Sequence, residues 1–79
     1  PMTLPELYEA LERHDWFHGQ SDDHGVWTAG HSDWTRLSRA ALDMGPRADR
    51  LLSDYTCYVL SGAAFDKPQL PKPKLEDYV

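Results

Sequence analysis

Seventy-nine residues carrying a formal net charge of −5 make one small domain, and 41% hydrophobic with 27% charged residues is the balance of a globular chain rather than a disordered one. No apolar run nears the ~18 residues that span a bilayer and no charged-then-apolar segment opens the chain, so a cytoplasmic protein is expected. A single cysteine excludes an internal disulfide and suits a reducing compartment. Pro1 ahead of Met2 reads as a remnant before a native start, and on that reading the chain is a complete small protein.

The first predicted element is a helix over residues 3–14. Thr3 and Glu6 have the spacing of a capping box, and Pro5 falls in the first turn, where amide hydrogens have no intrahelical acceptor. Leu4, Leu7, Tyr8 and Leu11 form one apolar stripe, and Glu6, Glu9 and Glu12 fall away from it. The helix is expected to end near His14, because Asp15-Trp16-Phe17 leads toward Gly19.

The middle admits two readings. In one, Trp16–Gln20 and Gly25–Thr28 pair as a short hairpin within residues 16–28. In the other, Ser21 caps a helix over residues 21–44, with Asp22 and Asp23 at the positive end of its dipole. The helix is preferred: Trp27, Gly30, Trp34, Leu37, Ala41 and Met44 step by three and four without a break. Gly25 and Gly30 weigh against it by about 1 kcal/mol each relative to Ala. A shorter helix beginning at Ser32 lies between the two readings.

Gly45-Pro46 is a stop and restart, with Pro46 opening a third helix over residues 46–61. Leu51, Leu52, Tyr55, Val59 and Leu60 are its expected apolar face, and Gly62 its C-cap. Beyond it Pro68, Pro71 and Pro73 dictate an extended, polyproline-like tail, with two alternatives: Leu70 and Leu75 lie against the bundle, or the tail is free. The predicted fold is therefore mainly α: a three-helix unit in a single domain of residues 1–62, followed by a Pro- and Lys-containing tail over 63–79.

The densest chemistry lies in Asp15–Trp34, which holds Trp16, Trp27, Trp34, His18, His24 and His31 with Asp15, Asp22, Asp23 and Asp33. Imidazoles and carboxylates bind transition metals. Against that, His24 and His31 on one helix stand about 10.5 Å apart along its axis, and no HExxH or CxxC spacing occurs. His14, His18, His24 and His31 are thus weak metal candidates, and no cofactor is expected. Cys57 reads as a small buried hydrophobe near the apolar face of helix three. Neither a nucleophile elbow nor a glycine-rich phosphate loop is present. A non-enzymatic protein is expected.

Charge is uneven. Residues 1–33 hold seven acids against Arg13 alone, while residues 34–79 hold six acids and seven bases. An acidic half repels a nucleic acid backbone and attracts a basic protein surface. The alternative is a solvated face that maintains solubility. Arg36, Arg39, Arg47 and Arg50 are better explained by ion pairs with Asp33, Asp43, Asp49 and Asp54 than by phosphate binding. Tryptophans anchor interfaces, so the expected partner-binding set is Glu6, Glu9, Glu12, Asp15, Asp22, Asp23, Trp16 and Trp27. An unpaired apolar seam would also support a homodimer through Trp27, Trp34, Leu37 and Met44.

In size, in its Met2 start, in the Glu6/Glu9/Glu12 stripe and in the Asp22-Asp23 pair, the chain resembles the small acidic proteins that phages and plasmids use to block host machinery, anti-CRISPR and anti-restriction proteins among them. That resemblance implies a non-enzymatic inhibitor of a nucleic-acid-handling complex, with the acidic face occupying a basic channel. It carries over no particular residue.

Overall fold

The computed structural model describes the backbone of residues 2–19, 25–62 and 68–79, and the side chains of these outside 14–33. The fold is mainly helical: α1 (Leu4–Gly19), α2 (Gly25–Met44) and α3 (Pro46–Gly62) pack on one another, and a single 3-10 turn (Leu75–Asp77) ends an extended segment.

The capping box forms as its spacing requires. Thr3 is the N-cap, its carbonyl accepting from the Leu7 amide at 2.9 Å. The Thr3 amide and hydroxyl both donate to Glu6 Oε1 at 2.9 Å, and the Glu6 amide donates back to Thr3 Oγ1 at 3.3 Å. α1 does not end near His14 but runs a further turn to Gly19. Asp15, Trp16 and Phe17 include no helix breaker, and glycine is the first residue there that stops propagation readily. Of the two segments that would pair as a hairpin, Trp16–Gln20 and Gly25–Thr28, residues 16–19 and 25–28 are helical, and Gln20 lies outside the described residues. The Ser21 cap lies outside the described residues.

One residue joins α2 to α3. Gly45 donates to the Leu42 carbonyl at 3.3 Å and accepts from the Asp49 amide at 3.1 Å, so it closes one helix and caps the next. It does this at φ +114°, a conformation that residues with a Cβ rarely adopt. Pro46 follows at the first helical position, where its fixed φ and missing amide hydrogen fit.

The core is a seam between the helices. Leu7 and Leu11 of α1, Trp34 and Ala41 of α2, and Ala48, Leu51, Leu52 and Tyr55 of α3 are buried, with Leu37, Met44, Tyr58 and Val59 packed against them. Two expectations for α3 fail. Leu60 is half exposed and Cys57 is exposed, because both fall on the flank of the helix away from Leu51 and Tyr55. The ninth core residue is Tyr78, brought in by the 3-10 turn at the other end of the chain.

Candidate binding face

Glu6 and Glu9 are exposed and Glu12 is partly buried beside the buried Leu7 and Leu11, and each of the three has a specific intramolecular task. Glu6 serves the capping box. The bonds it accepts from Thr3, the backbone amide foremost, hold its carboxyl below the usual range. Glu9 pairs with Arg13 at 3.1 Å, one turn along the helix, with both side chains 71% exposed. Such a solvated pair contributes only a few tenths of a kcal/mol. Glu12 meets Lys72 of the C-terminal segment at 2.6 Å. Of the three, Glu9 is the acid with the greatest freedom to meet another molecule.

Asp15, Asp22, Asp23, Trp16 and Trp27 lie outside the described side chains, as do His14, His18, His24 and His31. The backbone relates some of them: α1 continues through Gly19, so His14 and His18 stand one turn apart on one helix, as Trp27 and His31 do on α2. Among the described residues, no group of three or more His, Cys, Asp or Glu is placed to hold a metal, and no helix is long and apolar enough to cross a membrane.

Much of the seam proposed for a homodimer is used within the chain. Trp34 is buried, its indole N–H donating to Thr56 Oγ1 at 3.1 Å, and Leu37 and Met44 pack on the same core. Of the arginines, Arg50 makes a predicted ion pair, with Asp54 at 3.8 Å. At the end of the bundle, Met2, Leu4, Ala40, Met44, Pro46 and Ala48 line an open groove of about 880 Å³, with Asp43 and Arg47 at its edge.

Of the two alternatives for the C-terminal segment, packed and free, the structure takes the packed one, through tethers that the sequence does not specify. Residues 68–79 form a strap laid back on the helices. The Leu70 amide donates to Ser61 Oγ at 2.9 Å, and the Tyr8 hydroxyl donates to the Pro73 carbonyl at 2.6 Å. Lys72 reaches Glu12 and lies 6.0 Å above the Tyr8 ring. Tyr8 in turn meets Tyr55 edge to face at 6.0 Å, and Tyr55 meets Tyr58 at 5.5 Å. At its end Tyr78 donates a hydrogen bond to Asp54 Oδ2, under the guanidinium of Arg50 at 5.8 Å. Burial, reinforced by the Asp54 carboxylate, pushes the Tyr78 hydroxyl up to about 12. Burial also raises Tyr8, against the opposing effect of Lys72, and the bond to Glu12 raises Lys72. The local signals for this arrangement were the excess of tyrosines and the alternation of Lys with Pro.

No protein-family profile, curated protein or solved structure matches this chain.

Proposed function

We propose that the chain is a non-enzymatic protein-binding module whose acidic N-terminal half engages a basic surface, as an inhibitor of a nucleic-acid-handling complex would. The observation that carries this reading is the separation of charge from core. Glu6 and Glu9 of α1 are exposed while Leu7 and Leu11 fill the seam, and seven of the thirteen acids fall in the first 33 residues. An acidic helix face of this kind presents carboxylates to a basic channel without disturbing the packing behind it.

The contacts of α1 decide which acids to reverse. Glu6 holds the cap and Glu12 holds the strap, so changing either confounds folding with binding. The informative variant is E9K/D22K/D23K. The unmodified chain and this variant are used as bait in host lysate at low and high salt, with circular dichroism confirming equal helicity. The expected result is retention of a nucleic-acid-binding complex by the unmodified chain at low salt, its loss at high salt, and its loss in the variant. Equal retention by both baits would end this reading.

A second reading rests on the one-turn spacing of His14 and His18: a metal-binding protein using these two with His24, His31, Asp22 or Asp23. Elemental analysis of untagged protein tests it. Stoichiometric metal that is lost in H14A/H18A supports it, and metal-free protein rejects it.

A further inference from the structure

The strap meets the helices through Leu70, Lys72 and Pro73. Leu70 and Pro73, three residues apart, supply the amide and the carbonyl that bond Ser61 and Tyr8. Three residues make one turn of polyproline II, so these two positions share one edge of such a helix. The sequence drives the segment into that conformation. Pro68, Pro71 and Pro73 fix their own φ, and Leu70 and Lys72 are pushed extended by the prolines that follow them. Lys74 is extended at φ −106° and ψ 132°. With the Leu70 amide and the Pro73 carbonyl bonded to the bundle, Pro68, Pro71 and Lys74 share a different edge, and all three are exposed, as are Leu70 and Lys72.

The helical body already reads one side of this strap with a tyrosine hydroxyl on a carbonyl, a tyrosine ring beneath an ammonium and a carboxylate on the same lysine. The outer edge repeats the ligand chemistry without those readers. We propose that Pro68–Lys74 is a preformed polyproline ligand, displayed by the helical body to a partner domain whose groove is lined by aromatic side chains and bordered by carboxylates. Stacked aromatic rings accept the proline edges, and the carboxylates complement Lys74. Tethering at Ser61, Tyr8 and Glu12 removes ordering entropy that a free peptide would lose on binding.

The test is a titration of the isotope-labelled full chain, followed by NMR, with two probes: an isolated SH3 domain with an acidic specificity pocket and an isolated WW domain. The expected result is saturable shifts confined to residues 68–74 with at least one probe, and affinity about tenfold or more weaker in P68A/P71A. Unchanged Tyr8 and Tyr78 resonances show that the variant keeps its strap in place. K74E, which touches none of the three tethers, is the second variant and should weaken binding likewise. Absence of shifts in 68–74 with both probes, or equal affinity of both variants and the unmodified chain, would overturn the proposal.

Discussion

The indole N–H of Trp34 finds its acceptor on the neighbouring helix, and that acceptor, Thr56 Oγ1, donates onward to the Leu52 carbonyl at 2.8 Å. Removing the hydroxyl leaves the indole without this partner inside the seam, whereas keeping the hydroxyl and losing only the methyl does not. T56V is therefore expected to lower stability by about 1–3 kcal/mol and T56S by much less, measured by denaturant unfolding. Gly45 isolates a different effect. A Cβ built there meets nothing within 4 Å, so any loss in G45A comes from the backbone at φ +114° and not from crowding. The expected cost is about 1–3 kcal/mol, read from the same unfolding curves. Both residues differ in how far the sequence announced them. Gly45-Pro46 is a local signal whose meaning needs no neighbours. The Trp34–Thr56 bond joins residues 22 apart, and no periodicity specifies that pairing.

At the scale of elements, the helices were legible wherever the deciding forces were local. The Thr3/Glu6 box, the Leu7/Leu11 stripe and the Pro46 restart all act within a turn or two of themselves. T3A should accordingly cost about 1 kcal/mol of stability, measured by thermal or denaturant unfolding. Apolar character alone misplaced Leu60 and Cys57, because a residue's angle around α3 decides its burial and the core takes only the flank through Ala48, Leu51, Leu52 and Tyr55. The strap was legible as extended chain, but whether it packs or hangs free was not, since its tethers are long-range: Tyr8 to Pro73, Glu12 to Lys72 and Asp54 to Tyr78. Its pH response follows from those tethers. Tyr8, Tyr78 and Lys72 all bind their protons more tightly in the folded chain than when unfolded. Their contribution is thus complete below the unfolded values near 10 and lost as pH rises through the folded ones, which for Tyr78 lies at about 12. Between these limits residues 68–79 should detach before the helices unfold. Ultraviolet titration of tyrosinate alongside far-UV circular dichroism checks it: the two transitions should separate, and Y78F should draw the first to lower pH or abolish it.

The whole molecule measures 34 × 25 × 15 Å, so its thinnest dimension barely exceeds the diameter of one helix with side chains. Its accessible surface is 5,647 Å², against about 4,900 Å² for a typical folded chain of this mass. With the core reduced to a seam, each member of it matters: L51A should cost about 2–5 kcal/mol, a large part of the about 4–12 kcal/mol expected for a chain of this length. Loss of helical signal at a lower denaturant midpoint is the measurement. The same thinness explains why the candidate binding face resisted sequence reading. A flat body gives every helix an outward flank, so an outward row of acids marks α1 without singling it out, and what distinguishes Glu9 from Glu6 and Glu12 is the contacts of the other two.

Tyr78 closes the seam from the far end of the chain, seated between Arg50 and Asp54. Both of those contacts are to α3, at residues one turn apart on that helix. A cut between Gly62 and Tyr78 would therefore open a gap in the interior while leaving the chain of all three helices unbroken.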